Sequence, residues 1–168
     1  MGLKLNNQLA HLPNDISITR FEKHHSCMEL FLSWSPDEGT ACPCCSSHNC
    51  IGKGHSAVKT IYHIPIGFSA TFLTFSLQRF RCKDCGRYFT ESPDWLHPFL
   101  RISTELYLSI CSALQSVESI RQISINLHVP EKTVSAVMDS VNFDRPSYLP
   151  QTLCMTDCTI QIYNITIP

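Results

Sequence analysis

A chain of 168 residues, 43% hydrophobic and 16% charged, has the composition of a globular protein of one ordinary domain or two small ones. Ten prolines and six glycines are too few for a low-complexity or collagen-like chain, and a formal net charge of −1 lacks the basic surplus usual in nucleic-acid-binding proteins. No segment approaches the roughly 18 apolar residues of a membrane span, and MGLKLNNQLAHLPND has no secretory apolar core, so the expectation is a cytoplasmic protein with no membrane partner.

Residues 1–15 are read as an N-terminal arm; Asn6 stands where a myristoylation signal after Gly2 would need serine or threonine. ISITRFEKHHSCMELFLSW, residues 16–34, is rich in β-branched and aromatic residues around a polar centre, which predicts two strands joined by a turn. SPDEGTA follows as a loop and delivers the chain to Cys42. AVKTIYHIP and FSATFLTFSLQRF read as the arms of one hairpin turned at Pro65 and Gly67, with Leu73, Phe75 and Leu77 on one face at period two. GRYFTES supplies a further short strand, and PDWLHPF reads as an irregular connection. These segments define a β-rich domain over residues 16–95.

From Ser103 the apolar period changes to about 3.6. TELYLSICSALQSV places Leu106, Ile110, Ala113, Leu114 and Val117 at helical spacing behind a Ser103 cap, with Glu105 in the first turn, where the helix dipole favours a negative charge. Ser119 and Gln122 have the spacing of a capping box and open a second helix ending near Leu127. Pro130 is expected in the first turn of a third helix, EKTVSAVMDSV, so a three-helix domain is placed at residues 101–145. The fold class is therefore α+β.

Four cysteines and a histidine crowd CPCCSSHNC, residues 42–50, and CKDCGRYF repeats the two-residue gap between Cys42 and Cys45 at Cys82 and Cys85. In a reducing compartment, paired gaps of this kind favour metal over disulfides, and two such knuckles complete a four-thiolate zinc site. One structural Zn2+ ion held by Cys42, Cys45, Cys82 and Cys85 is the expectation, with Gly86 relieving a tight knuckle backbone. Cys44, His48 and Cys50 compete for the same ion, while Cys27 and Cys111 read as small core residues. A closed set of four thiolates leaves no position for a reactive water, and no local signature favours a cysteine nucleophile.

SIRQISINLHVPEKTVSAVM has the shape of a helix-turn-helix, with Ile120, Ile123 and Leu127 facing inward, Val129 in the turn, and Val134, Val137, Met138 and Val141 as the stripe of the next helix. Lys132, Ser135, Ala136 and Asp139 then face away from that stripe, and the first three of these, with Thr133, are expected to meet base edges of double-stranded DNA. His128 replaces the glycine common in such turns, and residues 101–145 hold four basic groups against five acidic ones, so this unit alone binds DNA weakly and salt-dependently. Arg79, Arg81, Lys83, Arg87 and Arg101, on or near the second knuckle, are expected to hold the phosphate backbone.

The joint order of CPCC, IPIG, LQRFRCKDCGRYFTE, LHPFLRIST and SIRQISINLHVPEKTV resembles the N-terminal part of a bacterial insertion-sequence transposase of the ISL-three type. That resemblance implies a zinc ribbon and helix-turn-helix that bind the inverted repeats at the element's ends, followed by a metal-dependent DDE catalytic domain. Where the first catalytic acid belongs, the chain reads LPQTLCMTDCTI, with Thr156 in its place and Asp157 beside it. A lone carboxylate does not assemble a two-metal site, so no enzymatic activity is expected, and residues 150–168 read as the orphaned start of that domain. The expected function is sequence-specific binding of terminal repeats, with a second copy or an intact transposase as further candidate partners. A protein-interaction module, or an inactive remnant, is the alternative.

Overall fold

In a computed structural model of the protein, residues 12–13, 16–34, 40–116 and 118–141 are described. The readings for the arm before residue 12, for Val117 and for residues 142–168, including Asp157, lie outside them. The architecture is mixed α+β, a β-rich N-terminal region followed by three helices. It divides into two compact units, the first ending at Glu105 and the second beginning at Leu106.

Among the described residues, the first unit holds seven strands in two sheets. β1 (Ile16–Lys23) and β2 (Cys27–Trp34) form the expected antiparallel hairpin. β3 (Cys50–His55) is an addition, because CIGKGH with its two glycines has no strand signature. β4 (Lys59–Ile66) and β5 (Ser69–Phe75) pair as predicted, but the turn is Gly67–Phe68, with Gly67 at φ +65°. Pro65 lies inside β4, where it is tolerated because β4 is an edge strand whose register breaks between His63 and Ile66.

FSATFLTFSLQRF is not one strand. It breaks at Ser76–Leu77, and β6 (Gln78–Cys82) continues in a different sheet, paired with β3 and with β7 (Tyr88–Thr90). The expected hairpin therefore does not simply project between the cysteine pairs. β5 pairs in parallel with β2, from Cys27 opposite Ala70 to Phe31 opposite Thr74, giving a four-stranded sheet in the order β1-β2-β5-β4.

One face of this sheet carries the core of the unit. Met28, Leu30 and Leu32 alternate along β2, and Leu73 and Phe75 do so along β5, all buried, while Leu77 keeps its inward position although it has left the strand. Trp95, read from the sequence as part of an irregular connection, closes the core edge-on to Phe75, with ring centroids 4.8 Å apart, and to Trp34 at 6.4 Å. His63, also buried, has Nδ1 2.7 Å from the Ser103 hydroxyl.

The helices are α1 (Thr104–Leu114), α2 (Ile120–Leu127) and α3 (Glu131–Ser140). None of the described helices is long and apolar enough to cross a membrane. Leu106, Tyr107, Ile110, Cys111 and Leu114 form the buried stripe of α1 in the second unit. The Ser119 hydroxyl accepts the Gln122 N–H at 3.2 Å, so half of the expected capping box forms, whereas the Gln122 amide turns to Asn126. Pro130 sits one position earlier than expected, at the cap of α3 rather than in its first turn. Ile123, Val129, Val134 and Val137 are the buried residues of α2, the turn and α3.

His128 ends α2 at φ 52°, ψ 41°, the left-handed conformation that glycine adopts at no steric cost, and its side chain is exposed. Replacing His128 by glycine is therefore expected to stabilise the second unit by about 1 kcal/mol, read as a higher urea midpoint at unchanged slope. A lower midpoint would show that the imidazole makes a contact worth more than the strain.

Candidate metal centre

The two cysteine pairs fold into the same local structure. After Cys42, the Ser46 N–H donates to the Cys42 carbonyl and the Cys42 N–H donates to the Ser47 carbonyl, both at 2.8 Å. After Cys82, Gly86 N–H to Cys82 and Cys82 N–H to Arg87 repeat this at 3.1 and 2.9 Å. Each knuckle needs a residue with positive φ at the same place, Ser46 at 57° and Gly86 at 74°, as the sequence indicated for Gly86.

Pairing of β3 with β6 sets Cys50 opposite Cys82 and so brings the knuckles together. A polar clamp joins their tips: the Asp84 carboxylate accepts from the Asn49 amide at 2.9 Å and from the Ser47 hydroxyl, and the Lys83 N–H donates to the Asn49 carbonyl at 2.9 Å. These hydrogen bonds, Ser47 first and then Asn49, hold the Asp84 carboxyl below its ordinary value. Sequence reading missed the clamp, because its halves lie 35 residues apart and neither has a signature alone.

The Sγ atoms of Cys42 and Cys85 lie 3.6 Å apart, as do those of Cys45 and Cys82, and all four lie within 4.8 Å of one another. This is far beyond a disulfide bond of about 2.05 Å. It is close to the edge of about 3.8 Å that a tetrahedron of thiolates around zinc requires at Zn–S of about 2.3 Å. The cluster is compatible with a zinc ion. Cys42 and Cys82 are buried and Cys45 and Cys85 exposed, so the site has a closed base and an open rim. Cys44, exposed, and Cys50, half-buried with its thiol turned to the Ser47 carbonyl, stay outside the group, as does His48. Cys111 is buried as expected, and Cys27 only half so.

The thiols share protons unequally. The Cys82 thiol falls to about 6, chiefly because the Cys85 backbone N–H points at its sulfur, and Cys42 is lowered in the same way by the Cys44 N–H. Cys45 is pushed up to about 12: the Ser47 N–H lowers it, but burial and the three neighbouring thiols outweigh that. Cys85 is also raised; the Arg87 N–H opposes this, and burial and Cys42 prevail. Each lowered thiol thus lies beside a raised one on the other knuckle, Cys42 beside Cys85 and Cys82 beside Cys45.

A divalent cation that engages all four sulfurs must displace the protons that the raised thiols of Cys45 and Cys85 retain, so its affinity is expected to rise with pH. Zinc competition against a chromophoric chelator at several pH values checks this. A flat profile would mean that the protons are already absent.

The remaining expected site residues are dispersed. Arg79 and Arg81 are exposed on β6, and Lys83 and Arg87 are exposed in the second knuckle. Arg101 stands apart, its carbonyl accepting the Tyr62 N–H of β4 in the four-stranded sheet. On α3, Lys132 is exposed, whereas Thr133, Ser135 and Ala136 are half-buried. Glu91, acidic and close in sequence to the basic cluster, is buried, with its carboxylate facing Thr40 and the Gln78 N–H.

Residues 38–85, which contain both knuckles, match the family model described as the zinc-finger of transposase IS204/IS1001/IS1096/IS1165. No curated protein and no solved structure matches the chain.

Proposed function

We propose that this chain is a DNA-binding part of a transposase, in which one zinc ion on Cys42, Cys45, Cys82 and Cys85 braces the ribbon β3-β6-β7 and the second unit reads DNA as a helix-turn-helix. The observation that carries this is the convergence of four thiols, on two equivalent knuckles, inside a segment similar to a transposase zinc finger. Zinc in a closed thiolate set organises the backbone and offers no position for hydrolysis. Arg79, Arg81, Lys83 and Arg87 then hold phosphates, and Lys132, with Thr133, Ser135 and Ala136, meets base edges in the major groove of a terminal inverted repeat.

Fluorescence anisotropy on a duplex carrying the repeat that flanks the chain's own gene tests this reading. Lys132→Ala is expected to weaken binding by roughly tenfold and to relax preference for the repeat. Arg79→Ala and Arg81→Ala are expected to weaken all duplexes alike and to lower the salt slope by about one each. Equal affinity for the repeat and a scrambled duplex would remove sequence-specific recognition, and no affinity for either would favour a protein-interaction role.

A further inference from the structure

The three-stranded sheet has two unlike faces. Phe80 and Phe89 stack on one, with ring centroids 5.7 Å apart, on the same side as Cys82. On the other, cross-strand register places Arg81 opposite Tyr88 and Arg79 opposite Thr90, and Ile51 of β3 completes the row of Arg81. Tyr88 is 59% exposed, and the Arg81 guanidinium lies 5.5 Å from its ring centroid.

Among the described residues, nothing neutralises the charge on this face. Among the described residues neither Arg79 nor Arg81 has an ion-pair partner, the Asp84 carboxylate is held by Ser47 and Asn49, and Glu91 is turned inward. Residues two apart on a strand have Cα atoms roughly 7 Å from each other, which sets the spacing of the bases of the two arginine side chains. That separation suits successive phosphates of an extended strand. A duplex offers a flat protein surface only phosphates and groove edges, whereas an unpaired base offers a π-face to an aromatic ring, and Arg beside the ring adds to the attraction.

We propose that this face is a single-strand DNA platform, on which Tyr88 stacks an unpaired base while Arg79 and Arg81 hold the phosphates on either side. It rests on the reading of the chain as a DNA-binding part of a transposase, and it assigns the ribbon a substrate distinct from the duplex: the frayed or unpaired strand at a DNA end. The Arg81 guanidinium stands beside the Tyr88 ring, and the Phe80–Phe89 stack lies on the opposite face of the sheet.

The test compares three labelled probes by anisotropy: a blunt duplex, the same duplex with a short oligothymidine tail, and free oligothymidine. Metal content per chain is measured for every variant, to show that the ribbon is intact. The tail is expected to tighten binding by roughly tenfold. Tyr88→Ala should lose that gain while keeping its affinity for the blunt duplex, Tyr88→Phe should keep the gain, and Arg81→Ala should lose part of it. A wild-type protein indifferent to the tail, or a gain that survives Tyr88→Ala, overturns the platform. Tyr88-dependent capture of oligothymidine without duplex binding would leave the platform standing and overturn the duplex reading, and the reverse result would do the opposite.

Discussion

Cys82→Ser is expected to leave the protein without stoichiometric metal and with its ribbon unfolded. Cys82 is fully buried, lies at the end of β6 opposite Cys50, and carries the thiol held down to about 6, so it is the sulfur most ready to bind a cation at neutral pH. A serine hydroxyl offers neither the charge nor the softness that zinc selects among sulfur ligands. With β3, β6 and β7 supplying six, five and three residues, this sheet is too small to be held by apolar burial alone. Elemental analysis of the purified chain should give one zinc for the wild type and none for the variant, and limited proteolysis should open residues 42–55 and 78–90 while sparing the strands β4 and β5 between them. Cys44→Ser, which alters an exposed thiol outside the cluster, should retain the metal. Full metal loading of Cys82→Ser would mean that Cys50 or His48 completes the site instead.

The second large effect falls where the sequence reads as a connection. Trp95→Ala removes a side chain only 8% exposed that sits against Phe75, Trp34 and the apolar row of β2 and β5, and it should cost about 3–5 kcal/mol by the ordinary penalty for an aromatic cavity. Most small domains have about 5–15 kcal/mol in total, so this variant stands near the threshold of folding. Trp95→Phe separates packing from polarity. Among the described residues the buried indole N–H has no hydrogen-bond partner, so removing it gives up no bond to them, and the cost should be confined to about 1–2 kcal/mol of lost ring volume. Urea unfolding monitored by far-UV dichroism measures both. A Trp95→Ala penalty below about 1 kcal/mol would show that this residue is not part of the core.

Those two sites mark the limits of reading the chain alone. The cysteine knuckles were legible because a two-residue gap and a following glycine are local chemistry: Cys82, Cys85 and Gly86 carry their own backbone geometry, and the structure repeats it at Cys42 and Ser46. The β1–β2 hairpin and the Ser119 cap were legible for the same reason, since each depends on contacts within a few residues. Trp95 was not, because two prolines and a turn-rich setting describe its backbone and say nothing of where its ring goes.

Local propensity also misjudged both neighbours of the metal centre. β3 forms from a sequence with two glycines because β6 offers it a partner, and FSATFLTFSLQRF is cut at Ser76–Leu77 because its halves join different sheets. In each case non-local hydrogen bonding outweighed intrinsic preference, as strand propensity is chiefly a record of neighbours.

Residue order by itself determined which sulfurs share a backbone pattern, where the three helices begin, and which face of β5 turns inward, because each follows from spacing along the chain. Only the tertiary structure decided that β5 runs parallel to β2, that Asp84 bridges to Ser47 and Asn49, that Trp95 closes the core, and that Tyr88 stands beside Arg81 on one face of the ribbon. The reason is that these pairings join segments far apart in the chain, and their free energy comes from apolar surface and hydrogen bonds that exist only once distant strands have met.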